Sequence, residues 1–244
     1  MPAALFVSDL HLCPTRPAIA RLFTDFLAGP AAAADAVYIL GDLFEYWAGD
    51  DDLADPFNAK VAAALKGLAE RGTRLFLIRG NRDFLLGPDF ARASGLTLLE
   101  EPHLADIFGT PTLLVHGDTL CSDDIDYQRF RHEVRSQGWR DGFLAQPLIE
   151  RRAQIEALRR RSEAEKRVKS AAIMDVNDTA VAELLRTHGY PRLIHGHTHR
   201  LARHEHVIDG HRCERWVLGD WYESGSFLAC DEQGCRTLVW PPAA

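Results

Sequence analysis

Ala36-Val37-Tyr38-Ile39-Leu40-Gly41-Asp42-Leu43-Phe44-Glu45 opens with a short apolar run and turns at a glycine into a carboxylate. An uninterrupted apolar run of this length predicts a strand buried on both faces. The same arrangement recurs along the chain. Residues 5–7 lead into Asp9 and His11, residues 75–78 into Gly80-Asn81-Arg82-Asp83, residues 112–115 into His116-Gly117-Asp118, and residues 193–194 into His195-Gly196-His197-Thr198-His199. Between the first three runs lie helical spacings, Ile19, Leu22, Phe23 and Phe26, then Val61, Ala64, Leu65 and Leu68, closed by Gly72. This alternation predicts an α/β sandwich with a largely parallel central sheet. After His199 the runs 213–218, 226–229 and 236–240 follow without helices between them, so antiparallel strands are expected to finish the sheet.

Composition narrows the classes. The chain has 244 residues, 46% hydrophobic and 26% charged, which predicts a single folded domain with a real core and excludes a mainly disordered or collagen-like chain. Acids outnumber bases by 35 to 28, and the net charge of -7 argues against wrapping nucleic acid with the whole surface while leaving room for a local basic patch; no nucleic-acid partner is expected. The five cysteines are odd in number and lack a C-x-x-C pair, so neither a disulfide scaffold nor a zinc ribbon is expected, and a reducing, cytoplasmic setting is. No basic leader precedes an apolar run and no stretch reaches the roughly 20 apolar residues of a membrane span, which predicts a soluble or peripherally bound protein.

One segment breaks the rhythm. Residues 123–176 carry Phe130, Val134, Trp139, Phe143, Leu144 and Leu148 and then a charged helical stretch, too long and too helical for a loop. Residues 151–170 hold eight Lys and Arg against three Glu, so a basic helical insert is expected in an acidic protein.

The carboxyl ends of parallel strands gather along one edge of a sheet, so polar residues scattered from 9 to 199 can meet in one crevice. The i, i+2 spacing of Asp9/His11 and His197/His199 puts each pair on one side of an extended backbone. Carboxylate, imidazole and amide donors without thiolate suit two divalent ions such as Mn²⁺, Fe²⁺ or Zn²⁺. Two such ions roughly 3.5–4 Å apart clamp a phosphoryl group, and Asp42 is the natural bridge between them.

The ordered set D-x-H, G-D, G-N-R-D, H-G-D and G-H-x-H resembles the calcineurin-like metallophosphoesterases. The resemblance implies mixed central β-sheets flanked by helices, one ion on Asp9, His11, Asp42 and His199, and a second on Asp42, Asn81, His116 and His197. More narrowly, Gly41-Asp42-Leu43-Phe44-Glu45, Gly49-Asp50-Asp51-Asp52, Gly80 through Gly87, His116 through Cys121, Ile173 through Asn177 and Leu193 through Arg200 resemble the UDP-2,3-diacylglucosamine pyrophosphohydrolases over nearly the whole chain.

That resemblance implies hydrolysis of UDP-2,3-diacylglucosamine to UMP and 2,3-diacylglucosamine 1-phosphate (lipid X) in lipid A synthesis. It implies Mn²⁺-activated hydroxide attack at the α-phosphorus, and a place at the anionic cytoplasmic face of the Gram-negative inner membrane. Many relatives in the superfamily have a proton-donating His where Arg82 stands; an arginine fork suits phosphate oxygens instead. Arg82 is therefore expected to position and neutralise substrate, with Asn81, Asp124, Ser162, Lys166, Lys169 and His197 as further substrate contacts. Two alternatives stay open: a phosphoesterase acting on another nucleotide diphosphate or a phosphodiester, and a non-catalytic scaffold on the same fold, like the retromer subunit.

Other features have plainer readings beside the functional ones. His195 is expected to orient a ligand rather than be one, and His103, His132, His188, His204, His206 and His211 to make local surface contacts. The basic helix either contacts substrate or membrane or is a solvated face paired with its own glutamates. Phe84, Leu85, Leu86, Trp139, Phe143, Leu144 and Leu148 either line an acyl groove or are ordinary core, and Asp50, Asp51 and Asp52 read as a solvated loop.

Overall fold

Strands β1 (Ala4–Val7) and β2 (Ala36–Leu40) pair in parallel with Leu5 opposite Val37 and Val7 opposite Ile39, and every residue of both is buried. In the computed structural model, which describes residues 3–166 and 175–242 apart from the side chains of 161–166, they form the centre of a six-stranded sheet. Helix α1 (Pro17–Ala28) connects them, α2 (Pro56–Glu70) leads to parallel β3 (Arg74–Ile78), and α3 (Pro88–Ser94) leads to the edge strand β4 (Thr97–Leu99).

A second sheet follows. Strands β5 (His103–Ile107) and β6 (Thr110–Leu114) form a hairpin; helices α4 (Ile125–Arg135), α5 (Gln137–Leu144), α6 (Leu148–Lys166) and α7 (Asp178–Thr187) precede β7 (Arg192–His195), and β8 (Ala202–Ile208) pairs antiparallel with β9 (His211–Val217). Strands β10 (Gly225–Asp231) and β11 (Gly234–Trp240) return to the first sheet, giving the orders β11-β10-β1-β2-β3-β4 and β5-β6-β7-β9-β8. These are the mixed sheets flanked by helices that the resemblance implies, whereas the single, largely parallel sheet expected from the strand–helix alternation alone is corrected, with the closing antiparallel strands divided between the two.

Alternation along the strands explains the layering. Phe6 and Tyr38 stack at 4.9 Å, Tyr38 and Phe76 at 4.7 Å, and these residues pack with Leu114, Ile194 and Trp216 of the second sheet. The intervening Leu5, Val7, Val37, Ile39 and Leu77 face Phe23, Phe26, Val61 and Leu65 of α1 and α2. Leu113 and Leu193 pack on Val181 and Leu185 of α7, completing a helix-sheet-sheet-helix stack.

Two expectations need correction, and the ordinary-core reading holds for five of the seven acyl-groove candidates. Asp50, Asp51 and Asp52 are not a solvated loop: Asp51 pairs with Arg151 and fully buried Asp52 with Arg152, which also lies 3.2 Å from Asp55. The acidic turn is the seat of the basic helix α6. Among the acyl-groove candidates, Leu85, Leu86 and Phe143 are buried core and Phe84 and Trp139 pack against it, while Leu144 is exposed. The β10–β11 register sets Cys230 opposite Cys235, and the two are joined as a disulfide; Cys13, Cys121 and Cys213 are buried thiols. No helix among the described residues is long and apolar enough to cross a membrane.

Candidate metal centre

Among the described residues eight non-glycine positions have positive φ, and five of them are Asp9 (53°), His11 (49°), Asp42 (54°), His197 (67°) and His199 (59°). The extended backbone expected from the i, i+2 spacing of Asp9/His11 and His197/His199 is thus replaced by left-handed conformations, which cost about 1–3 kcal/mol each and persist where surrounding contacts impose them. Here the strand-end loops are laced together. Asp9 N–H donates to Gly41 O at 3.1 Å, His11 N–H to Asp42 O at 2.9 Å and Gly196 N–H to His116 O at 2.8 Å. Gly41 and Gly80 permit the approach: a Cβ on Gly80 would strike the Asp42 carboxylate, and one on Gly41 the His116 ring.

The side chains form one cluster. His199 Nε2 lies 3.2 Å and His11 Nε2 3.9 Å from Asp9 Oδ1. Asp42 presents Oδ2 to His11 Nε2 at 3.9 Å and Oδ1 to His116 Nε2 at 3.8 Å, so its carboxylate faces both halves. The Asn81 oxygen is 3.0 Å from both His116 Nε2 and His197 Nδ1. Asp9, His11 and His199 bring donor atoms within 4.8 Å of one another, as do Asp9, Asp42 and His116.

These residues fit two divalent ions. Both ring nitrogens of His11 are buried without a hydrogen-bond partner, an arrangement that costs free energy unless a further group satisfies them. The donors are oxygen and imidazole nitrogen only, which suits Mn²⁺, Fe²⁺ or Zn²⁺. Outer contacts orient several of them: His116 Nδ1 is 2.8 Å from Leu40 O, His199 Nδ1 is 3.0 Å from Asp220, and Ser8 Oγ donates to Asp9 at 2.6 Å.

The electrostatics reflect crowded acids and imidazoles. Burial alone would lower His116, but Asp42 and Asp9 outweigh it and raise its pKa to about 9. Burial likewise opposes the charged form of His199, but hydrogen bonds to Asp220 and Asp9 raise it to about 9. Burial lifts Asp42 to about 7, whereas for Asp9 the same burial is overcome by His199 and His116, which hold it below the usual carboxylate range. For His11, burial wins and pushes the pKa well down.

Asp83 braces the centre: its buried carboxylate accepts from Leu43 N–H at 2.7 Å and Gly80 N–H at 2.8 Å. Helix α4 braces the other half. Asp118 accepts from Tyr127 Oη and Arg131 Nε at 2.7 Å each, and the Tyr127 ring stacks on His197 with centroids 6.0 Å apart.

Of the remaining predicted residues, Arg82 donates its backbone N–H to Asp42 at 2.8 Å and has its guanidinium 3.7 Å from Glu45. Asp124 caps α4, accepting from Tyr127 N–H at 3.2 Å. Lys169 and the side chains of Ser162 and Lys166 lie outside the described residues. The buried His195 ring lies 2.9 Å from Gly196 O and 3.2 Å from Arg215 Nη1, and burial lowers its pKa to about 4.

Besides Ser8, Tyr127 and Arg131, four more residues not assigned from the sequence stand beside the cluster. Glu45, Arg16, Tyr222 and Asp220 border the His11 side, with the Tyr222 ring stacked on His11 at 5.2 Å and Arg16 Cζ 4.7 Å from the Tyr222 centroid. Asp220 had a signal: Trp216-Val217-Leu218-Gly219-Asp220 repeats the apolar run, glycine and carboxylate of β2.

Residues 3–201 match the family model described as calcineurin-like phosphoesterase. A protein of Aromatoleum aromaticum named UDP-2,3-diacylglucosamine hydrolase is 55% identical over 99% of this chain and 96% of its own. Proteins of the same name from Escherichia fergusonii (49% identical, 98% of this chain and 99% of the other) and Aeromonas salmonicida (48%, 93% and 89%) are also similar.

Proposed function

From the premise that the chain belongs to the calcineurin-like phosphoesterase family, we propose that it hydrolyses the pyrophosphate bond of UDP-2,3-diacylglucosamine to UMP and 2,3-diacylglucosamine 1-phosphate, on the route to lipid A. The observation that carries this reading is the buried Asp–His cluster with its two unpartnered His11 nitrogens, on a chain similar along nearly its full length to hydrolases of that substrate.

Asp9, His11, Asp42 and His199 would hold one ion and Asp42, Asn81, His116 and His197 the other, with Mn²⁺ as the ion we assign. Bound there, two divalent ions supply Lewis acidity that offsets phosphoryl charge and lowers the pKa of water. The chain's own residues do the positioning. Arg82 sits at the edge of the cluster with a planar fork suited to phosphoryl oxygens; the leaving phosphate monoester is a stabilised anion, so no proton donor is needed at this position. Asn81 and His197 stand beside it, and Asp124, Ser162, Lys166 and Lys169 complete the proposed contacts to the sugar half. The whole chain acts as one catalytic domain with its helical insert at 123–176, working peripherally at the cytoplasmic face of the inner membrane.

The test is hydrolysis of the diacylated UDP-sugar in ¹⁸O-water. Label in UMP is expected, because water attacks at the α-phosphorus. Label in the sugar phosphate refutes that site of attack, and absence of turnover refutes the function.

A further inference from the structure

Three guanidiniums from distant parts of the chain converge on one buried carboxylate, Glu45, which is 7% exposed. Arg16, just before α1, lies 2.5 Å from Oε2 and also donates to the His11 carbonyl. Arg159, on α6, donates to Oε1 at 2.7 Å. Arg82 Nη1 stands 3.7 Å from the same Oε1, and His11 Nδ1 stands 3.7 Å from Oε2.

The distances are unequal in a useful way. Arg159 is hydrogen-bonded, whereas Arg82 is within reach of the carboxylate's field but beyond hydrogen-bond length, so this contact steers its guanidinium without using its donors. The N-terminal end of α6 is held separately by Arg151 and Arg152 on the acidic turn, and Arg159 is the anchor two turns further along. Without Glu45, three cations would face one another and a divalent centre at short range.

We propose that Glu45 is a positioning residue: it aims Arg82 at the phosphoryl oxygens and, through Arg159, clamps helix α6 against the metal-bearing loop. The proposal rests on the function argued above and concerns how the insert and the reacting centre are held as one unit.

The test is Glu45→Gln, which keeps the shape and removes the charge, compared with Arg159→Gln and the double variant in the full-length, metal-loaded protein. Glu45→Gln is expected to lower kcat/KM by about tenfold or more, mainly through KM. Amide hydrogen exchange should rise across residues 155–160 and stay at the wild-type level in β2 and β3. The double variant should lose no more than the worse single variant, because both singles break the same clamp. Additive losses, a wild-type KM in Glu45→Gln, or a loss that tracks a fall in metal content with exchange in α6 unchanged would each overturn the proposal. Should Glu45→Gln fail to fold, Arg159→Gln on its half-exposed helix tests the clamp through KM and exchange alone. A wild-type protein inert toward UDP-2,3-diacylglucosamine refutes the function instead, and the exchange arm still decides whether Glu45 holds α6.

Discussion

The Asp220 carboxylate lies 3.0 Å from Nδ1 of His199, whose Nε2 is 3.2 Å from Asp9. The carboxylate fixes the ring so that Nε2 faces the cluster. Removing such a partner costs about 10–100-fold in metal affinity. Asp220→Ala should therefore bind Mn²⁺ more weakly by that factor in a calorimetric titration, with the far-ultraviolet circular dichroism preserved. Wild-type affinity in the variant would dismiss the orienting role.

Asp42 and His116 are buried at the meeting of both halves of the centre. Asp42→Ala or His116→Ala should depress turnover by about three orders of magnitude or more, since each removes a donor at a two-ion site. Near-normal turnover in either folded variant would exclude the assigned centre.

Their carboxylate neighbours raise His116 and His199 to about 9, which favours the imidazolium form of each at neutral pH. A metal ion needs their neutral nitrogens, so binding must displace those protons. Apparent Mn²⁺ affinity should consequently rise as pH increases from 7 toward 9, and adding Mn²⁺ to chelator-stripped protein in weak buffer should release protons. A pH-independent affinity over that window contradicts the assignment.

Asp50 acts at a distance as the cap of α3. Its carboxylate accepts from Gly87 N–H at 2.9 Å, Asp89 N–H at 2.8 Å and Phe90 N–H at 3.1 Å, where the N-terminal glycine has no side chain to do so. Asp50→Ala should cost about 2 kcal/mol and lower Tm by about 4–8 °C in thermal unfolding, while the metal content stays normal. An unchanged Tm would show that water caps the helix equally well.

The interior strands and the polar residues at their ends were legible because both are local signals. An apolar run predicts a strand buried on two faces, and a glycine followed by Asp or His marks where the backbone must turn toward a crowded point. Strands β4, β5 and β8 were missed, and each is a sheet edge. With one side open to solvent, an edge such as Ala202–Ile208, read Ala-Arg-His-Glu-His-Val-Ile, needs no continuous apolar run.

The chain alone therefore determined at which strand ends Asp9, Asp42, Asn81, His116 and His197 stand. Tertiary structure decided what surrounds them. Asp51 and Arg151 are 100 residues apart and Glu45 and Arg159 are 114 apart, so no periodicity or spacing links them. The pairing of an acidic turn with a basic helix arises only when packing brings distant charges together and removes them from water. A local pattern records what a segment buries, but it carries no record of which distant segment covers it.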